Sequence, residues 1–498
     1  MEMGRLLLWV GLLLFLEQHD GAAHKLVCYY NKWAHSRSSP ASVSPRDLDP
    51  FLCTHLIFTF ASMNNNQIIA MAASDQNVLY SEFNKLKERN RKLKTLVSIG
   101  GWDFGTPRFT TMLATKASRK TFIDSVIPFL RTHSFDGLDL FFMYPGQRGS
   151  PAQDRWNFLS LIEELLFAFR EEVYLTGRPR LLLSAAVSGN PHIIQKAYDV
   201  RLLGIFLDFI NVLSYDFHGS WEKFTGHNSP LFSLSEDHKS SAYAMEYWQN
   251  LGAPPQKLIM GLPAYGRTFL LFESSENGLQ ANAVGPGSPG TYTKKAGFLA
   301  YYEVCSFIHG ATKRRISYQY VPYAFKGKEW VGYDDAFSFS HKASFIKEKH
   351  LGGAMVWTLD MDDVKGTFCG SGSYPLVSRL HHLLVQAEST SVSSLTYWSS
   401  PMMNSSGTDS GRPTMTTDLA SLIPGGKVTT SKTHMKSKSM TTTSGGETVT
   451  LESDNMSSRE QTTAPDENTE TPGVTMTSVD QYSVSLDDTT PIAVSTTL

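Results

Sequence analysis

The sequence predicts an α/β fold for residues 24–385, with eight parallel strands alternating with helices and closing into a (β/α)8 barrel. Three observations carry this. Eight strand-like apolar runs recur along the span, with stretches apolar at helical spacing between them. The run Phe135 to Gly146 reads, with period two, as Asp139, Phe141 and Met143 on one face and Leu138, Leu140 and Phe142 on the other. Both faces are largely apolar, as in a parallel strand covered on both sides. Past about residue 387 the composition changes abruptly, which sets the outer limit of the folded part.

The elements follow in order. His24 to Ala34 predicts the first strand and leaves Trp33 just past its C-terminal end, the end at which barrels of this kind build their sites. Thr54 to Met63 predicts the second strand, bringing Phe60. Leu79, Phe83 and Leu86 mark a helix between Gln76 and Lys94. Leu93 to Gly101 then gives the third strand, ending in Ser98-Ile99-Gly100-Gly101, where the glycines allow a sharp bend and close approach. Phe135 to Gly146 is the fourth. After it, Trp156, Leu159, Ile162, Leu165 and Phe169 recur at helical spacing across Asp154 to Glu172. Arg180 to Gly189, Leu207 to Asp216, Lys257 to Phe269 and Gly352 to Asp362 complete the strands. Between about residues 270 and 336 the barrel period breaks.

Residues 1–23 carry Arg5, an apolar run from Leu6 to Leu16 and then Gly21, Ala22 and Ala23, the pattern of a secretory signal peptide. The apolar run is too short to span a bilayer, and no other stretch reaches that length. In residues 386–498 about two residues in five are Ser or Thr, a mucin-like composition that cannot bury enough surface to fold. This tail holds the N-x-S/T sequons found, at Asn404 and Asn455.

The chain has 498 residues and a formal net charge of -2, which leaves no footprint for nucleic acid. Lys313-Arg314-Arg315 is a compact basic run in the folded part, read as a solvated face. Its four cysteines, Cys28, Cys53, Cys305 and Cys369, form an even set in a chain with a signal peptide, which implies two disulfides with three pairings open. No C-x2-C spacing occurs, so a zinc site is not expected. Neither metal nor cofactor is expected.

The fourth strand also carries a resemblance. Family-18 glycoside hydrolases, the chitinases and their relatives, have D-G-x-D-x-D-x-E followed by Y-P-G on the fourth strand of a (β/α)8 TIM barrel. Here the first two acids stand as Asp136 and Asp139, the third is Phe141, the glutamate is Met143, and Tyr144-Pro145-Gly146 follows. Ser98-x-Gly100-Gly101 matches the family's S-x-G-G, and Leu213-Ser214-Tyr215-Asp216 resembles its M-T-Y-D. The resemblance implies a small α+β insertion after the seventh strand, at about 270–336. It also implies the disulfide pairing Cys28 with Cys53 and Cys305 with Cys369.

In this family the glutamate protonates the glycosidic oxygen while the substrate's own acetamide attacks, oriented by the third aspartate. A thioether donates no proton and a phenyl ring accepts no amide hydrogen bond, so catalysis is expected to be lost. The resemblance further implies a glycan-binding cleft from Tyr29, Trp33, Phe60, Gly100, Trp102, Tyr215, Asp216, Trp221, Tyr265, Arg267, Met355 and Trp357. Flat indoles suit the face of a pyranose. Asp103 stands where most active relatives have Asn. Asp139, without its neighbouring carboxylates, needs other hydrogen bonds or should protonate more readily.

For a chitinase-like barrel with such a stalk, the resemblance implies a non-catalytic glycoprotein secreted via secretory vesicles. Its expected partners are N-acetylglucosamine-containing glycans or glycoproteins of an extracellular coat, the egg's zona pellucida among them, in oviduct fluid, with a role in fertilisation and early embryo support. The alternative is a weakly active chitinase or transglycosylase using another acid, Asp216 or Asp360.

Overall fold

The computed structural model describes residues 24–234 and 237–386. The signal segment, the tail and the sequons at Asn404 and Asn455 lie outside the described residues. A nine-stranded sheet contains β1 (Lys25–Asn31), β2 (His55–Asn64), β3 (Gln67–Ala70), β4 (Lys94–Gly100), β5 (Gly137–Phe141), β6 (Leu182–Ser188), β7 (Phe209–Leu213), β8 (Leu258–Pro263) and a last strand, Gly353–Trp357. All but the antiparallel β3 run parallel, and β1 pairs with both β2 and the last strand, so the ring closes. This is the expected (β/α)8 barrel.

The helices are α1 (Tyr80–Arg89), α2 (Pro107–Leu113), α3 (Lys116–Thr132), α4 (Asp154–Thr176), α5 (Pro191–Ala197), α6 (Val200–Phe206), α7 (Ser241–Asn250), α8 (Tyr301–Phe307), α9 (Ala336–Glu348) and α10 (Pro375–His381). Local sequence sets their ends. Thr115 and Ser118 cap α3 reciprocally, and Gly177, at φ +67°, ends α4 in the left-handed conformation that glycine takes without a Cβ clash. Outward-facing strand residues pack on this layer: Phe142, next to β5, stacks on Phe109 of α2 at 4.4 Å between ring centres and meets Phe158 of α4 at 5.9 Å.

One expected strand divides. The seventh, read as Lys257 to Phe269, is two: β8 stays in the barrel, and β9 (Tyr265–Leu271) belongs to a separate six-stranded sheet. Pro263 lacks the N–H that would continue the ladder, and the next amide, Ala264, donates instead to the Trp357 carbonyl at 2.9 Å. The insertion therefore starts at Tyr265 rather than near 270. Its sheet adds β10 (Ala283–Pro286), β11 (Phe298–Ala300), β12 (Thr312–Ile316), β13 (Val321–Lys326) and β14 (Glu329–Gly332), which makes the barrel's closing strand β15 (Gly353–Trp357).

Cys28 is bonded to Cys53, and Cys305 of α8 to Cys369. The bridges span 25 and 64 residues, and loops of that size restrict the unfolded chain by about 3.5 and about 4 kcal/mol. Among the described residues no helix is long and apolar enough to cross a membrane, and no cluster of three or more His, Cys, Asp or Glu is placed to hold a metal.

Candidate functional site

The barrel interior carries a polar layer beneath its C-terminal mouth. Asp139 of β5 lies in register with Ser98 of β4 and Ser184 of β6, so the three point into the ring at one level. Its carboxylate, fully buried, accepts from Tyr29 Oη at 2.9 Å, Ser98 Oγ at 2.7 Å, Ser184 Oγ at 2.7 Å and Asn211 Nδ2 at 3.4 Å. Burial pushes its pKa up, and these four hydrogen bonds pull against the rise. The charge left without neighbouring carboxylates is thus met by hydroxyls and an amide.

One strand step nearer the mouth stands Phe141, in a box of rings. Its centre is 5.3 Å from Trp357, 5.5 Å from Phe60 and 6.0 Å from Tyr29. Phe141 and Met143 are both buried, at 4% and 2% exposure, so apolar side chains close the floor. The glycine turn after β4 makes room for them. A Cβ on Gly100 (φ +119°) would stand 2.3 Å from the Phe141 carbonyl oxygen, and one on Gly101 (φ +91°) 2.8 Å from the Phe60 ring. Gly101 N–H donates to that same carbonyl at 2.9 Å.

Above this floor opens a cavity of about 200 Å³. Of the side chains expected there, Trp33, Phe60, Trp102, Tyr215, Asp216 and Trp357 line it, with Gly100, Phe141 and Met143. Tyr29, Trp221, Tyr265, Arg267 and Met355 do not. Tyr29 serves Asp139 from below. Tyr265 Oη and Arg267 Nε, at 2.7 and 2.8 Å, both donate to Asp216 Oδ1, and Trp221 covers Arg267 with its ring centre 5.1 Å from the guanidinium. Met355 is buried inside the barrel on β15.

Asp136 lies at the other end of β5. It accepts from the Thr95 amide at 2.8 Å and pairs with Lys87 of α1 at 2.9 Å, a bond between strand and helix layer. Asp360 is also distant in role: fully buried, it pairs with Arg37 at 2.7 Å and accepts the Asn31 N–H at 2.9 Å.

Two polar atoms on the wall are left over. Among the described residues Tyr215 Oη and Asp216 Oδ2 are buried with no hydrogen-bond partner. Buried polar atoms are nearly always paired, and each unmet one costs about 1–3 kcal/mol, so a polar group that reached these two, on residues that line the cavity, would relieve that cost.

Met71, Phe104 and Arg108 also line the cavity and were not expected. Met71 follows β3, a hairpin strand whose turn, Asn65-Asn66 at φ +47° and +58°, is the asparagine signal that could have revealed it. Arg108 stacks on Phe104 at 3.8 Å, and Arg148 on Trp102 at 3.3 Å. The sequence offers no pattern that announces either stack.

The family model for glycosyl hydrolases family 18 matches residues 25–362. The chain is 69% identical over 445 residues to the oviduct-specific glycoprotein of Papio anubis, covering 89% of this chain and 71% of that protein. To the oviduct-specific glycoprotein of Sus scrofa it is 64% identical over 491 residues, covering 98% and 93%. Among solved structures it is similar to human YKL-39, described as a pseudo-chitinase with retained chitooligosaccharide binding properties. The TM-score is 0.70 at 47% identity, over 73% of this chain and 100% of that one.

Proposed function

Because the chain belongs to glycosyl hydrolases family 18, we propose that it is a secreted, non-catalytic member that holds N-acetylglucosamine-containing glycans in its barrel cleft without cutting them. One observation carries the reading. A cavity walled by Trp33, Trp102 and Trp357 keeps two unmet polar atoms, Tyr215 Oη and Asp216 Oδ2, above a floor where Phe141 and Met143 offer no proton. Indole faces suit pyranose rings, and the tyrosine hydroxyl and aspartate oxygen suit an acetamide carbonyl and a sugar hydroxyl.

In active family members the positions of Phe141 and Met143 hold the orienting aspartate and the acid glutamate. Losing a general acid costs about 10²- to 10⁴-fold in rate. Three of the remaining acids are already engaged: Asp139 is sealed below the floor, Asp360 is held by Arg37, and Asp216 accepts at Oδ1 from Tyr265 and Arg267, while Asp103 stands exposed at the cavity rim, away from the floor. A weakly active chitinase or transglycosylase is therefore the less favoured reading. The retained chitooligosaccharide binding ascribed to YKL-39, a similar chain, supports binding without catalysis.

The finer setting comes from the oviduct-specific glycoproteins that the chain resembles. We read it as secreted by oviduct epithelium through secretory vesicles, associated with the egg's zona pellucida, and supporting fertilisation and the early embryo. The Ser/Thr-rich tail is then an O-glycosylated stalk, with Asn404 and Asn455 as N-linked acceptors.

Tyr215→Phe tests the cleft. Removing a hydroxyl that has no partner in the free protein leaves its stability unchanged or slightly raised, whereas chitotetraose binding measured by titration calorimetry falls by about tenfold, one hydrogen bond's worth. Unchanged affinity contradicts the site assignment.

A further inference from the structure

We infer that Asn228 is the positioning residue of the cleft: it pins the strained turn after β7 and so aims the Asp216 carboxylate at a glycan. This rests on the reading that the cleft holds a glycan at Asp216, and adds the residue that sets that group in place.

Asp216 takes φ +58°, a left-handed backbone that is uncommon for a residue with a Cβ and persists where the surrounding structure holds it. Asn228 does the holding. Its Oδ1 accepts the Asp216 N–H at 3.0 Å, and its backbone carbonyl accepts the next amide, Phe217 N–H, at 3.1 Å. Its Nδ2 donates to the Tyr265 carbonyl at 3.3 Å, while the hydroxyl of the same tyrosine donates to Asp216 Oδ1 at 2.7 Å. An amide N–H needs an acceptor and a carbonyl needs a donor, so the Asn228 side chain has one orientation. Both sides of the turn are thereby fixed. Asn228 holds the Asp216 backbone, Tyr265 and Arg267 hold Oδ1, and Oδ2 is the oxygen left over. Asn228 is fully buried and does not line the cavity, so it reaches a ligand through Asp216.

The residues flanking Asn228 tie this turn to the insertion sheet. His227 Nδ1 accepts the Ser229 N–H at 3.0 Å, which leaves the proton on Nε2 to meet the carbonyls of Pro322 at 3.1 Å and Tyr333 at 2.8 Å. Ser229 Oγ donates to the Ser214 carbonyl at 3.1 Å, just before the strained turn. Residues 227–229 are thus a clasp: one end grips the insertion, the middle and the other end grip Ser214, Asp216 and Phe217. Asp216 and Tyr215 also line a second, smaller cavity beside the first, so a shift of this turn alters both.

The test titrates the full chain and its variants with chitotetraose by calorimetry, on samples whose thermal unfolding shows them folded. Asn228→Ala opens a space, whereas Asn228→Leu keeps the volume and removes the polar atoms. Each should weaken binding by about five- to tenfold, the loss of one hydrogen bond made by a displaced Asp216. Asp216→Ala should weaken it by about tenfold. The decisive readout is the coupling: either Asn228 change added to Asp216→Ala should cost nothing further, whereas independent effects would multiply to about a hundredfold. As a control, Ser241→Ala removes a buried donor to the same Ser214 carbonyl, at 2.8 Å, without touching Asp216. It should lower the unfolding midpoint and keep the affinity. Full affinity in both Asn228 variants, losses that multiply, or an equal loss in Ser241→Ala overturns the positioning role while leaving glycan binding intact. No binding by the parent, or an unmoved affinity in Asp216→Ala, overturns the glycan reading and this inference with it.

Discussion

Phe141 and Trp357 face each other across the barrel mouth with ring centres 5.3 Å apart and planes tilted by 47°, so a phenyl ring bounds the space beside the buried indole on this side. In the proposed function, binding and catalysis part at this contact: the indole and its neighbours offer a surface for a sugar, while Phe141 is part of the hydrophobic floor.

Reversing that change tests how much of the cleft is intact. Phe141→Asp with Met143→Glu should produce measurable release of chitobiose from a chitobioside substrate where the parent gives none. It should also lower stability by about 3–5 kcal/mol, because a core ring is lost and two carboxyl groups enter a buried site. Stable protein with no turnover would mean that the surrounding cleft has drifted as well.

Trp102 is half-exposed and lines the cavity, with Arg148 against its ring. Trp102→Ala should weaken chitotetraose binding by about five- to tenfold, roughly 1 kcal/mol of stacking, with little change in Tm. Trp357→Ala, at a buried position, should reduce binding and also cost about 3–5 kcal/mol in stability, so calorimetry should separate the two effects.

Gly100 takes φ +119°, and a Cβ there would lie 2.3 Å from the Phe141 carbonyl oxygen. Gly100→Ala should therefore destabilise by about 2–4 kcal/mol in denaturant unfolding and displace the floor. An unchanged midpoint would place the turn elsewhere.

Much of this was legible in the sequence, for physical reasons that also mark where it was not. Strands buried on both faces read as apolar runs, so β1, β4, β5 and β6 fell within their expected spans, and β2 overran its own by one residue, Asn64. The seventh ran on past Pro263 because Tyr265 to Leu271 continues in strand-like residues, and only the missing proline N–H separates ring from insertion. The cleft was partly visible because strand ends converge at one barrel face, which placed Trp33, Phe60, Trp102, Tyr215, Asp216 and Trp357. Tyr265 and Arg267 were found but as supports of Asp216, one shell behind the wall, since sequence position does not tell lining from backing. The partners of Asp139 left a faint trace: Ser98, Ser184 and Asn211 are each a polar residue inside an apolar run.

Asp362 supplies a test of the fold independent of the cleft. Burial pushes its pKa up to about 7, against the pull of the Val377, Asp363 and Leu376 amides that donate to it. Because the folded state holds this proton more tightly than the unfolded chain, its contribution to stability is full below about pH 4 and is lost as pH rises towards 7, by at most about 1.4 kcal/mol per pH unit. Above pH 7 the contribution is flat. Asp362→Asn should flatten that part of the stability profile measured by urea unfolding at several pH values. An unaltered slope between pH 4 and 7 would assign the proton to another group.

The central claim is that this barrel holds a chitooligosaccharide and leaves it whole. Incubating the full chain with chitotetraose, measuring affinity by titration calorimetry and then resolving the sugar by mass, tests both halves in one sample. The account predicts saturable binding, weakened by Tyr215→Phe, with the tetrasaccharide recovered uncut. Shortened or lengthened oligosaccharides at a rate above buffer, abolished by Asp216→Ala, would contradict it.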